Sequence, residues 1–239
     1  MIKNYRQKYL SSTKAAQLSL TDEYRGDLMD MFHALYAALG PSRWWPALTP
    51  FEVAVGAILT QNTQWSNVEQ AIANLRSVEA LEPYTMHRMP AEQLSSLIRP
   101  SGFFRLKTRR LQQFLLFLRD SCDFQMEKLA QIPLPELRTR LLQVNGIGPE
   151  TADSILLYAL KLPTFVVDSY TKRLAARHML VSENIAYEDL RRFYMDALPH
   201  DPDLFNEYHA LIVRANKIWC LKKAGNCAAC PLQRLLIKS

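Results

Sequence analysis

The sequence predicts an all-α protein, and three observations carry that prediction. Apolar residues recur at three- and four-residue intervals along nearly the whole chain, which is the signature of amphipathic helices. Glycine is scarce, at 7 of 239 residues, and this argues against a glycine-rich nucleotide fold or a turn-rich β-sandwich. No useful length of sequence alternates apolar with polar residues. The best strand candidate is Thr164-Phe165-Val166-Val167, and a single strand has no partner.

The elements follow in order. Leu28, Met31, Phe32, Leu35 and Leu39 share one face of a first helix, which Gly40 ends by tolerating the left-handed conformation beyond a helix C-terminus. Pro41, Pro46 and Pro50 then enforce an irregular stretch that holds Trp44 and Trp45. Phe51 to Leu59 is a strongly apolar helix running into Thr60-Gln61-Asn62-Thr63. Asn67 to Leu75 and Ala91 to Ile98 are amphipathic helices, and Pro100-Ser101-Gly102 is a turn. Arg105 to Leu118 is a long helix with Leu111, Phe114, Leu115 and Leu118 inward. Its Lys107, Arg109 and Arg110 read as a solvated basic face. Pro133 and Pro135 break the chain before Leu137 to Val144, and Glu150 to Leu160 follows. Ser169 to His178, Tyr187 to Leu198 and Asp203 to Trp219 complete the set. On the last helix His209 lies off the apolar stripe and reads as a structural histidine.

Nearly half the residues are apolar, enough for one large domain or two small ones. No run approaches the ~18–20 apolar residues of a membrane span. Met1 to Lys14 is polar and basic without a hydrophobic signal core, so the expected location is cytoplasmic. The net charge of +6 suits a polyanionic partner, because lysine and arginine release counterions from phosphates.

Val144-Asn145-Gly146-Ile147-Gly148-Pro149 joins two helices as a hairpin. The glycines permit positive φ and close approach of another backbone, Ile147 plugs the gap between the helices, and Pro149 suits a first helical turn. The free N–H groups of that turn and the helix dipole form a phosphate site. Asp168 stands 20 residues after Gly148, directly before a helix. It reads as an N-cap. A capping carboxylate stays ionised at neutral pH, and an ionised carboxylate can stabilise a sugar cation and orient water.

These segments resemble the helix-hairpin-helix DNA glycosylases related to endonuclease III, from about Trp44 to Cys230. The resemblance is nearest to the 3-methyladenine glycosylase III branch through Gly56-Ala57-Ile58-Leu59-Thr60-Gln61-Asn62-Thr63, Ala152 to Ala159 and Val166-Val167-Asp168. It implies a two-domain fold with the active site in the interdomain cleft. Residues 52–162 would form a central domain, 20–51 with 163–239 the second, and 1–19 a peripheral N-terminus. It implies that Asp168 is catalytic, that Gly146, Ile147, Gly148 and Thr151 grip DNA with Gln61 and Asn62, and that Gln61 fills the hole left by a flipped base. Trp44, Trp45 and Phe51 are the expected base-pocket aromatics, since stacking favours electron-poor alkylated purines. Bifunctional relatives carry a lysine where Glu150 stands here. A carboxylate cannot form a Schiff base, so the expected activity is monofunctional hydrolysis of alkylated purines. The alternatives are a glycosylase for oxidised pyrimidines or mismatched bases, and a non-catalytic hairpin DNA-binding protein. The expected partner is double-stranded DNA containing a damaged base, bound by a monomer, with no cofactor needed for the chemistry. Cys220, Cys227 and Cys230 match three positions of the family's [4Fe–4S] loop, but the fourth is Leu236. Either the cluster is lost, or three cysteines hold an incomplete or differently ligated one.

Overall fold

The computed structural model describes residues 14–45 and 47–235, with side chains from Tyr24 onward. Leu236, the fourth position of the cysteine spacing, and residues 1–13 lie outside the described residues. The described residues contain helices and no strand, so the all-α reading holds. Thr164 to Val167 is extended but unpaired as a strand. No helix among the described residues is long and apolar enough to cross a membrane.

The chain divides into two compact units: residues 43–166, and residues 1–42 with 167–239. The continuous unit is built around α2 (Pro50–Leu59). Thr49 caps α2 by accepting from the Glu52 N–H, and Pro50 occupies its first turn. Phe51 to Leu59 are all buried, as expected for a helix that is apolar all round. Glu52 is the charged exception, and Arg76 pairs with it. The unit also contains α3 (Trp65–Ser77), the short α4 (Pro83–Arg88) and α5 (Ala91–Leu97), α6 (Phe104–Cys122), α7 (Met126–Leu129), α8 (Leu134–Leu142) and α9 (Pro149–Ser154), and α2 packs on α3, α6 and α9. Beyond Ser154 the chain continues as π-helix over Ile155–Ala159, packed on α2.

The discontinuous unit contains α1 (Lys14–Leu39), α10 (Ser169–Arg177), α11 (Tyr187–Ala197) and α12 (Pro202–Ile218). Helix α1 packs on α11 and α12, and α10 on α12. Gly40 ends α1 at φ +64°, and the Arg214 guanidinium donates to the Leu39 and Gly40 carbonyls at 2.6 and 2.9 Å. A cation thus meets the negative end of the helix dipole. The Tyr208 hydroxyl donates to the Leu28 carbonyl at 2.8 Å, and Ser42 donates twice to Glu207. These contacts fix α12 against α1.

Candidate active site

In the continuous unit the hairpin connects α8 to α9. Ile147 donates to the Val144 carbonyl at 3.0 Å, closing the turn, and both side chains are buried. The two glycines do different work. Gly146 takes φ +91°, and a Cβ there would stand 2.3 Å from Arg110 Cγ. Gly148 is extended at φ −91° and ψ 178°, so only Gly146 uses the left-handed freedom expected of both. Nothing lies within 4 Å of where a Gly148 Cβ would be. The surface there is open to an approaching backbone. Asp153, fully buried on α9, takes a bidentate contact from Arg138 of α8 at 2.8 and 3.0 Å and a hydrogen bond from Thr164 at 2.9 Å. This ion pair staples the two helices of the motif. Glu150 is exposed on the first turn of α9, and its carbonyl accepts from the Ser154 hydroxyl at 2.7 Å.

Gln61 reaches from the end of α2 to the hairpin. Its Nε2 donates to the Gly146 carbonyl at 3.0 Å and to the Thr151 hydroxyl at 2.9 Å. Its Oε1 accepts from Arg110. Thr60 ends α2, its hydroxyl donating to the Gly56 carbonyl. Asn62 is exposed at φ +54°.

The basic run on α6 differs from its sequence reading. Lys107 is not solvated: it is 1% exposed, and its ammonium donates to the Leu59 and Ser101 carbonyls at 2.7 Å each. Burial, with Arg110 nearby, lowers it to about 8. The sequence carried a signal for this. Lys107 precedes Leu111 by four residues and Phe114 by seven, which places it on the apolar stripe. Arg110 is half-buried against Gln61 and Gly146, while Arg109 is exposed. By joining Leu59 to Ser101, Lys107 holds the Gln61 loop beside the turn that presents Phe103. That ring is 67% exposed at φ +46°, and the sequence reading passed over it.

Trp44 and Trp45 belong to an aromatic group of the same unit. The Trp45 ring lies 4.9 Å from Trp65 and 5.3 Å from Tyr158, and Trp44 lies 6.2 Å from Trp65. Trp45 also covers Gly56, where a Cβ would meet its ring at 3.1 Å. Both tryptophans are half-buried. Phe51 is buried in α2. Trp65 and Tyr158 were not singled out from sequence, because helical spacing alone does not reveal a cluster spread over three segments.

In the discontinuous unit Asp168 caps α10. Its Oδ1 accepts from the Thr171 N–H at 2.7 Å and from the Thr171 hydroxyl at 3.0 Å. Its Oδ2 faces His209 of α12, whose Nε2 stands 3.5 Å away. Both side chains are largely buried, at 14% and 7% exposure. Burial on its own would raise the carboxyl. His209 and the two Thr171 donors outweigh it and hold Asp168 below the usual carboxylate value. Tyr194 is buried nearby, and burial with the Asp168 charge drives its phenol upward. His209 therefore lies against the carboxylate, where the sequence suggested only a structural histidine.

The cysteine loop follows α12. Cys220, Cys227 and Cys230 carry free thiols. Burial pushes the Cys230 thiol up, and Cys220 and Cys227 push it the same way. Arg177 donates to Cys220 Sγ at 3.2 Å and to the Leu221 and Lys222 carbonyls. Arg173 donates to the Cys220 carbonyl at 2.9 Å. A cubane cluster takes four thiolates. This spacing offers three thiols, one of them bonded to a guanidinium, and a leucine that has no ligand atom. Cys122 is buried in the other unit and donates to Leu118. The residues do not fit a four-cysteine cluster, and among the described residues no group of three His, Cys, Asp or Glu is placed to hold a metal.

The family described as "HhH-GPD superfamily base excision DNA repair protein" matches residues 55–200. The chain is 42% identical over 214 residues to "Putative DNA repair glycosylase MJ1434" of Methanocaldococcus jannaschii, spanning 87% of this chain and 96% of that one. It is 27% identical over 184 residues to endonuclease III of Thermotoga maritima, covering 77% of this chain and 81% of that one. Among solved structures it is similar to the H. pylori 3-methyladenine DNA glycosylase MagIII bound to 1,N6-ethenoadenine. The TM-score is 0.67 at 26% identity, with 82% of this chain and 97% of that one covered. A non-covalent endonuclease III–DNA complex shares the fold, with TM-score 0.75 at 19% identity over 89% and 94% of the two chains. Hairpin, capping aspartate and these likenesses agree, and the chain belongs to the HhH-GPD superfamily of base excision DNA repair proteins.

Proposed function

We propose that this DNA glycosylase hydrolyses the N-glycosidic bond of alkylated purines in double-stranded DNA, as a monomer and without lyase activity. One observation carries the reading: a nearly buried carboxylate, Asp168, is held ionised at a helix N-terminus with one oxygen left outside the cap. The bond from C1′ to the base breaks with its electron pair leaving on the base. A positively charged alkylated purine departs neutral, and the sugar is left as an oxocarbenium ion. Asp168 stabilises that cation. Water adds to C1′, and its proton passes through the carboxylate to solvent. The Trp44, Trp45 and Trp65 rings supply stacking faces for an electron-poor base. Gln61 and the hairpin at Gly146, Ile147, Gly148 and Thr151 supply DNA contacts.

Glu150 supports monofunctional chemistry, because that position offers no amine for an imine with C1′. The 27% identity to an endonuclease III favours a second reading, release of oxidised pyrimidines. The test is base release from duplexes carrying 3-methyladenine, 7-methylguanine or thymine glycol, with apurinic-site cleavage scored separately. Release of methylated purines, abolished in Asp168→Asn, supports the proposal. Thymine glycol release alone overturns the substrate assignment. Borohydride trapping of a covalent adduct overturns the monofunctional one. Equal release by wild type and Asp168→Asn removes the catalytic assignment.

A further inference from the structure

We propose that His209 is a positioning residue: its Nε2 fixes Oδ2 of Asp168, the oxygen left for the reaction, while the helix cap holds Oδ1. This rests on the reading of Asp168 as the carboxylate that stabilises the sugar cation. The two oxygens have separate surroundings. Both contacts to Oδ1 come from Thr171, within the first turn of α10, at 2.7 and 3.0 Å. The contact to Oδ2 comes from α12, 41 positions along the chain from Asp168, at 3.5 Å. A carboxylate held at one oxygen pivots about it. A second contact from an independent element stops the pivot and sets the plane of the group.

His209 is suited to that task because its own helix is fixed on both sides of it. Tyr208 is tied to the Leu28 carbonyl at 2.8 Å. Arg214 is tied to the Leu39 and Gly40 carbonyls at 2.6 and 2.9 Å. The imidazole is buried and adds little surface of its own to the site. It acts through Asp168. The reaction depends on where Oδ2 stands relative to the charge forming on the sugar. Displacement by about 1 Å of a reacting group costs up to roughly 100-fold in rate.

The test compares His209→Gln, whose amide nitrogen reaches the place of Nε2, with His209→Asn, whose amide stops near Nδ1. Asp168→Asn is run beside them. Single-turnover base release is measured on whichever lesion duplex the wild type processes. Affinity is measured separately on a duplex carrying a tetrahydrofuran abasic analogue. The glutamine variant is expected within about 3-fold of wild type in rate, and the asparagine variant roughly 10- to 100-fold slower. Abasic-duplex affinity is expected to stay within about 2-fold for both. A merely structural histidine predicts a fall in melting temperature and affinity, with no advantage for glutamine; that pattern overturns the inference. A wild-type rate in His209→Asn, with Asp168→Asn inactive, also overturns it and leaves the role of Asp168 standing. Undiminished release by Asp168→Asn removes the reading beneath it instead.

Discussion

Lys107→Met removes a buried cation and leaves two buried carbonyls, Leu59 and Ser101, without its N–H groups. The two effects oppose each other. Holding a lysine at about 8 against an ordinary 10.5 withholds about 3 kcal/mol from the folded state at neutral pH, at about 1.4 kcal/mol per pH unit between the two values. Each orphaned buried carbonyl costs about 1–3 kcal/mol. At pH 7 the net change is therefore smaller than the larger of the two effects. The pH dependence separates them. Between about 8 and 10.5 the unfolded chain keeps the lysine proton that the folded chain has released, so wild-type stability rises with pH through this group. From pH 7 to pH 9 wild type should gain about 1.3 kcal/mol over Lys107→Met, because the other titrating groups are shared and drop out of the difference. Urea unfolding of both proteins at pH 7, 8 and 9 measures it. Parallel curves, or a wild type that loses stability relative to Lys107→Met as pH rises, would refute the reasoning.

Three further outcomes follow from the packing. Arg138→Ala strips the guanidinium from the fully buried Asp153 and should cost about 3–5 kcal/mol in a urea melt; a loss under about 1 kcal/mol contradicts the staple. Gly146→Ala places a methyl 2.3 Å from Arg110 Cγ at φ +91°, and should cost about 1–3 kcal/mol. Adding Arg110→Ala should recover part of that loss in thermal melts by removing the collision and leaving the backbone strain. Asp168→Asn keeps a capping side chain, so its melting temperature at pH 7 should stay near that of wild type. The lowered Asp168 carboxyl stabilises the fold above the unfolded value of about 3.9, and this contribution is lost as pH falls through the lower folded value. The stability of wild type relative to Asp168→Asn should therefore fall on acidification below about pH 4. A relative stability that rises instead is incompatible with a depressed carboxyl.

The sequence disclosed the elements whose logic is local. Gly40 ending α1, Thr60 following α2 and Asp168 before α10 are each a residue acting on its own helix end. The cooperating groups were less visible because they depend on which helices meet. Lys107 sat in line with Leu111 and Phe114, but its charge concealed its burial until the Leu59 and Ser101 carbonyls were placed around it. His209 lay off the α12 stripe only because that stripe was drawn for apolar side chains. The Trp65 ring is on a helix that begins two residues before the first one read from the pattern, and it meets Trp45 from there. The short helices α4 and α7 hold too few turns for periodicity to register. The change to π-helix at Ile155 has no counterpart in the spacing of Ile155-Leu156-Leu157-Tyr158.

The division of the chain has a consequence for its synthesis. The unit of residues 43–166 interrupts the other one, so α1 leaves the ribosome long before α11 and α12, the helices it packs on. It must wait for them. Closing a flexible loop of about 150 residues to bring them together would cost about 4 kcal/mol in chain entropy. If the inserted unit folds first, that cost falls, because Trp45 near its start packs 5.3 Å from Tyr158 near its end. A variant that fails to close this aromatic clasp is then expected to delay the capture of α1 as well.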